Sequence, residues 1–313
     1  MQRQYSAGRL GVVLALCCTV AACGQFSGLQ AKKYFKDANA LYQQQDYKRA
    51  AVAYEEALKA DPDLSVAYFY LGNSYDQLYK PSRAGEPEND SFLQKAIQNY
   101  QLAVEKEQDP KMKKLSLEYL VAAYGPDKLN DPDKAEPLIQ QMIQIDPTDP
   151  ANYFALAKMF EDSGRYDEAE KILMDARDKK PSDPAVYMQL AGFYNRQGDF
   201  QKTIESLTER ANREPSNPEA FYTIGTFYWD KAYRDIRIKD DEKAGYAEAG
   251  LKAIDKALEL KPDYMEAITY KGLLLRVQAA LTKDAGRQKS LIAEAEKLQA
   301  QALELRKKKA AGQ

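Results

Sequence analysis

The chain has 313 residues, 44% of them hydrophobic and 29% charged, too apolar for a disordered polypeptide and too charged for a polytopic membrane protein. Histidine is absent and the three cysteines, Cys17, Cys18 and Cys23, all lie near the N-terminus, which excludes a His-based triad, a His/Cys metal site and a disulfide framework beyond residue 23. With 45 basic and 47 acidic side chains, a net charge of −2, there is no basic footprint for nucleic acid.

The first 23 residues read MQRQYSAGRLGVVLALCCTVAAC. Arg3 and Arg9 lead into an apolar run from Leu10 to Val20 that only Thr19 interrupts. Eleven residues rise about 16 Å as a helix, about half of a bilayer core, so the run fits a signal-peptide core rather than a membrane span. It ends in Val20-Ala21-Ala22-Cys23, which resembles the lipobox of bacterial lipoproteins: an aliphatic residue, two small ones, then Cys. Cys17 and Cys18 lack the small residue before them. The resemblance implies that residues 1–22 are a lipoprotein signal peptide, cut before Cys23, and that the Cys23 thiol carries lipid through a thioether. That covalent lipid is the only cofactor expected. An ordinary secretory signal with a stray Cys is the plainer alternative. Cleavage removes Arg3 and Arg9, leaving 43 basic against 47 acidic side chains, net −4. Gly24 stands where Asp favours inner-membrane retention in well-studied lipoproteins. The resemblance therefore implies the bacterial cell envelope, lipid-anchored and extracytoplasmic, with the periplasmic side of an outer membrane favoured where there is one. Residues 23–30 then form the anchor and a tether whose seven residues reach at most about 25 Å.

From residue 31 onward a period of 34 governs the chain. Pro147, Pro181 and Pro215 are 34 apart, as are Tyr153, Tyr187 and Phe221, and Tyr34 and Tyr68. Within 184–215, Tyr187, Leu190, Ala191 and Tyr194 follow the i, i+3, i+4, i+7 spacing of one helix face. Gly198-Asp199 supplies a turn, and Phe200, Ile204, Leu207 and Ala211 line a second helix. Asp183 caps the first helix, Pro184 suits its first turn, and Pro215 ends the second. Each unit is thus a helical hairpin. These residues resemble the tetratricopeptide repeat (TPR) family, with its aromatic, Leu-Gly or Leu-Ala, then Tyr in the first helix and its Ala, aromatic or aliphatic, Ala and closing Pro in the second. The resemblance implies an all-α, right-handed TPR superhelix, an α-solenoid of about seven hairpins over 31–313, with repeats starting near 31, 65, 114, 150, 184, 218 and 265. Small residues in the seams let helices approach, and no hairpin buries its apolar faces alone, so stability comes from stacking.

Three repeats exceed 34 residues, by insertions between their helices within 77–93, 230–248 and 277–292. The first is Pro-rich and reads as a loop; the other two are helix-compatible and extend helices. A recognition edge and tolerated surface insertion are the two readings. The final helix, Leu291–Lys308, is amphipathic and ends in Arg306-Lys307-Lys308-Lys309, which suits capping of the array ahead of anionic lipid binding.

No Gly-rich phosphate loop occurs, and Asp127, Asp131 and Asp133 read as turn chemistry rather than a calcium loop. No constellation nominates a catalytic or metal-ligating residue, so a non-enzyme is expected. In the family, set positions of each first helix face a concave groove. Here they hold Phe35, Asn39, Tyr42, Phe69, Asn73, Asp76, Phe154, Lys158, Met188, Asn195, Arg196, Tyr222, Trp229 and Asp230. Aromatics there would hold a peptide segment, and Asn amides would bind its backbone; the alternative is that the rings fill gaps between helices. A subclass of the family grips a C-terminal carboxylate with Lys and Asn, but Phe35 stands where that clamp needs Lys. The resemblance therefore implies a membrane-anchored scaffold or adaptor for protein partners in envelope assembly or secretion, of unassigned oligomeric state, without nucleic acid. A glycan- or peptidoglycan-binding envelope protein and a self-assembling structural solenoid are the alternatives.

Overall fold

The computed structural model describes residues 27–310. The expected signal peptide, Cys23 and residues 24–26 of the expected tether lie outside the described residues. Among those described, fourteen α-helices and no strand occur. Helix α1 covers 27–43 and is followed by α2 (Tyr47–Ala60), α3 (Ser65–Leu78), α4 (Pro87–Lys106), α5 (Pro110–Tyr124), α6 (Pro132–Ile145) and α7 (Pro150–Asp162). Then come α8 (Tyr166–Lys179), α9 (Pro184–Arg196), α10 (Phe200–Arg213), α11 (Pro218–Arg234), α12 (Asp240–Leu260), α13 (Met265–Leu281) and α14 (Ala285–Ala310). This is the expected all-α hairpin architecture. Two details differ from expectation. Residues 27–30, expected as tether, are helical, and the third repeat starts at Pro110 rather than 114, because Asp109 and Pro110 supply the cap and first turn. No helix among the described residues is long and apolar enough to cross a membrane.

Each start signal in the sequence has a bond behind it. Asp109, Asp131, Asp183, Asp199 and Asn217 each accept a hydrogen bond from a backbone N–H in the first turn of the helix they precede. Asp131 also pairs with Lys134 at 2.8 Å; of the three expected turn residues, Asp127 lies in a turn, Asp131 caps α6 and Asp133 sits in its first turn. The 34-residue recurrence of Tyr and Pro is also a bond. The hydroxyls of Tyr68, Tyr153 and Tyr187 donate to the carbonyls of Pro62, Pro147 and Pro181, at 3.2, 3.0 and 2.8 Å. The ring thereby fastens the start of one repeat to the end of the one before. Phe221 occupies the same place without a hydroxyl.

The turn inside the hairpin repeats as well. Gln45, Gly164 and Gly198 all adopt positive φ, at 60°, 74° and 77°. At the last of these, Asp199 N–H reaches Tyr194 O at 2.9 Å and Gly198 N–H reaches Asn195 O at 3.0 Å, closing the helix through a left-handed residue. A side chain in this conformation costs about 1–2 kcal/mol, and glycine avoids it at a smaller entropic cost. Gln45→Gly is therefore expected to raise stability by up to about 1 kcal/mol, and Gly198→Gln to lower it by about 1 kcal/mol. Urea unfolding of both variants checks the pair; shifts of the same sign would refute it.

The chain forms two compact units, up to Met159 and from Phe160. In the first, a continuous core runs from Ala38, Ala50 and Tyr54 through Ala67, Leu71 and Tyr75 to Ala96, Tyr100, Leu120 and Ala135. Tyr54 and Tyr100 are completely buried. In the second, Ala191, Ile204, Leu207 and Ile224 form one cluster, and Ala247, Ile254, Ala257, Ala267 and Leu274 form another. The seams behave as the small residues require: a Cβ on Gly72 would meet the Tyr100 ring at 2.8 Å, and one on Gly225 would meet Ile254 at 2.5 Å.

The insertions take two forms. In the second repeat, the added residues form a short 3-10 turn (Pro81–Arg83) and lengthen α4 to 20 residues. Asn89 ties the loop down by accepting from Lys80 N–H and donating to the Lys80 and Arg83 carbonyls. In the sixth and seventh repeats the added residues extend helices. Helices α11 and α13 have 17 residues each, against 13 in α7 and α9.

Candidate functional site

In the first unit the expected groove aromatics assemble into one ring network. Phe35 meets Tyr54 and Tyr70; Tyr70 also meets Tyr42, Tyr54 and Phe69; Phe69 meets Tyr100 and Tyr119, with centroids 5.2–6.1 Å apart. Most of it faces inward. Phe69 is 6% exposed and Asn73 is 2% exposed. The Asn73 side-chain oxygen accepts the Tyr42 hydroxyl, and the Asn39 oxygen accepts the Tyr54 hydroxyl at 2.6 Å. Asp76 pairs with Lys128 at 2.5 Å. Phe69 and Asn73 are therefore corrected from ligand contacts to core residues: Tyr100 of α4 and Tyr119 of α5 pack on Phe69, Tyr42 of α1 bonds to Asn73, and the Asn oxygens are already used within the protein. Burial of these rings pushes the Tyr42, Tyr54 and Tyr100 phenols upward, so they stay neutral donors. Phe35 and Tyr42 remain half-buried at the edge of this network. Phe154 is half-buried and Lys158 exposed, one turn apart on α7.

In the second unit, Met188, Asn195 and Arg196 lie exposed on α9. Met188 Sδ accepts from Arg210 at 3.4 Å. Arg196 grips Glu161 with two nitrogens, at 2.6 and 2.8 Å, so its guanidinium is already matched by a carboxylate.

Tyr222 and Trp229 do converge. Both meet the Tyr270 ring edge-on, at 5.5 and 5.3 Å, and Tyr222 also meets Tyr264 at 5.1 Å. Burial, reinforced by Tyr270 and Tyr264, pushes the Tyr222 phenol up to about 12. One turn beyond Trp229, Tyr233 stacks flat on the indole, with centroids 5.2 Å apart and planes 12° apart. Tyr233 is 64% exposed, and Ile236 just after α11 is 88% exposed. Arg234 lies over the indole at 5.9 Å while pairing with Asp230.

This aromatic pair forms one wall of a cavity of about 540 Å³, within the range of ligand pockets. Leu273, Val277, Ala280 and Leu281 of α13 form the opposite wall, and Ala232, Lys243 and Arg276 complete it. The wall residues Tyr233, Ala280 and Leu281 belong to the additional turns of α11 and α13. A second depression of about 460 Å³ adjoins it through Leu281 and is lined by Asp241, Gly245, Glu248, Gln278, Thr282 and Arg287. Of the expected groove residues, only Trp229 lines the larger cavity. Tyr233, Leu273, Val277 and Arg276 are additions; Tyr233 was discernible as the next residue on the Trp229 face, at i+4. Among the described residues, no group of three or more His, Cys, Asp or Glu is placed to hold a metal ion. The chemistry on offer is recognition: a flat aromatic surface, an aliphatic wall and two cations.

Residues 35–111 and residues 128–192 each match a tetratricopeptide-repeat model. The C-terminal part of a TPR repeat-containing protein from Cytophaga hutchinsonii is similar in structure, with a TM-score of 0.55 at 14% identity, over 87% of this chain and 98% of that one. That likeness shows the fold alone. A crystal structure of MamA matches with a TM-score of 0.43 at 20% identity, over 63% of this chain and 94% of that one. YrrB, described as a TPR protein with an unusual peptide-binding site, matches with a TM-score of 0.34 at 19% identity, over 76% of this chain and 90% of that one. None of the curated proteins matches the chain.

Proposed function

We propose that this array of tetratricopeptide-type hairpins is a non-catalytic scaffold, held at a membrane surface by lipid on Cys23, that recruits a protein partner in the bacterial cell envelope. The observation that carries the reading is the cavity between α11 and α13. It is already formed, its walls are aromatic and aliphatic, and Tyr233 stands exposed at its rim. Exposed aromatics beside a pocket are typical binding anchors. The lipobox-like Val20-Ala21-Ala22-Cys23 supports the anchor and its extracytoplasmic side. Envelope assembly or secretion is the setting in which such a tethered adaptor serves.

Cys23→Ala is expected to shift the chain from the membrane to the soluble fraction on detergent-free fractionation; continued membrane recovery would refute the lipid anchor. A photo-crosslinking residue at Tyr233 is expected to give a discrete protein adduct in cells, lost in the Cys23→Ala strain. Absence of any protein adduct from the pocket rim would overturn recruitment at this site. The buried Phe69 is unsuitable for the same probe. The flat Trp229–Tyr233 surface also favours a glycan as the second reading, since sugars stack on such faces. Saturable glycan binding lost in Trp229→Ala would support it.

A further inference from the structure

The charges around the cavity define what it accepts. Helices α11, α12 and α13 carry seven basic residues. Five are neutralised within the chain: Lys231 by Asp235, Arg234 by Asp230, Lys252 by Glu248, Lys256 by Glu259 and Lys271 by Asp255. The remaining two are Lys243 and Arg276, and both line the cavity. Lys243 has no side-chain partner among the described residues. Arg276 donates to the neutral Gln299 side chain of α14 at 3.0 Å, which orients the guanidinium without cancelling its charge. No carboxylate lines the larger cavity.

We infer that the cavity receives an internal segment of a partner protein in which an aromatic or aliphatic side chain stands next to an Asp or Glu carboxylate. This deepens the recruitment reading above and rests on it. The apolar side chain lies against Trp229, Tyr233 and Leu273, and the carboxylate faces Lys243 and Arg276. Beside apolar walls such a pairing is stronger than in open water, and it discriminates against basic segments. An internal segment fits better than a chain end because the cavity does not close: it continues past Leu281 into the second depression. There Asp241, Glu248 and Arg287 meet the departing chain, and Glu248 is already paired with Lys252.

The test uses the full chain and a random-peptide library displayed with fixed sequence on both sides, so that no free terminus is presented. Enriched peptides are expected to carry Asp or Glu beside an aromatic or aliphatic residue. Their binding is read by the fluorescence anisotropy of dye-labelled peptides, so that it is measured alike in variants with and without Trp229, the only tryptophan in the chain. Lys243→Glu combined with Arg276→Glu is expected to weaken them at least about tenfold, with an unchanged thermal unfolding profile, and to select basic peptides instead. Peptides that lack acidic residues, or that bind the charge-reversed variant equally well, would overturn the charge inference while leaving the pocket a docking site. Peptides whose binding is unaffected by Trp229→Ala and Tyr233→Ala, or a library without binders, would overturn both the inference and recruitment at this pocket.

Discussion

Tyr100→Ala is expected to lower stability by about 3–5 kcal/mol, the cost of removing a large buried ring and leaving its cavity. The ring is completely buried between Phe69 and Tyr119, with centroids 5.9 and 5.4 Å away. Its edge fills the space that Gly72 leaves on α3. Removing it therefore strips contacts from α3, α4 and α5 together. Tyr100→Phe separates ring from hydroxyl. The hydroxyl lies 3.5 Å from Asp76, at the limit of a hydrogen bond, so Phe is expected to cost about 1 kcal/mol or less. Urea unfolding followed by circular dichroism measures both. A cost below about 1 kcal/mol for Ala would mean that the ring is not the keystone of this core.

Gly225→Val is expected to destabilise the second unit by about 1–3 kcal/mol through overpacking. A Cβ at residue 225 would stand 2.5 Å from both Cγ1 and Cδ1 of Ile254 and 3.2 Å from the Gly250 carbonyl oxygen. Ile254 is completely buried, so it has nowhere to go. Valine gains little helix propensity over glycine to offset the clash. Ile254→Ala alone is expected to cost about 2–5 kcal/mol as a cavity. Combined, the two changes fill each other's defect, and the double variant is expected to be more stable than the sum of the singles by at least about 1 kcal/mol. Trp229, one turn along α11 from Gly225, reports the unfolding of this unit by fluorescence. Strict additivity would show that the two helices do not meet through this pair.

The repeat architecture was legible because its markers are bonds and sterics that act locally. Asp before Pro starts a helix because the carboxylate accepts a first-turn N–H; Tyr187 recurs with Pro181 because one hydroxyl reaches the other's carbonyl. The groove was legible only in part. Helical spacing places Phe69 and Asn73 on a face, but not how far the next hairpin leans over that face. The partner of Asn73 is Tyr42, 31 residues away, and nothing in the local pattern announces it. The pocket escaped for a different reason. Its walls depend on two helices being lengthened in step, which no single window of sequence displays. One part of it was readable: the positions three and four residues either side of Arg276 are Gly272, Leu273, Ala279 and Ala280, so its own helix offers no carboxylate. Lys243 was not readable in this way, because Asp240 lies one turn before it and yet does not pair with it.

The added turns of α11 and α13 have a consequence for how this protein can change over generations. The seam residues Gly225, Gly250, Ile254 and Leu274 lie inside the ordinary repeat length and answer to packing alone. Tyr233, Ala280 and Leu281 lie beyond it and answer to whatever occupies the cavity. Selection can therefore retune the occupant by altering helix length and tip residues while the stack beneath stays fixed. The same separation invites grafting: the extended tips could be exchanged for others on an unchanged frame, making the sixth and seventh hairpins an interchangeable tool-holder rather than a purpose-built jaw.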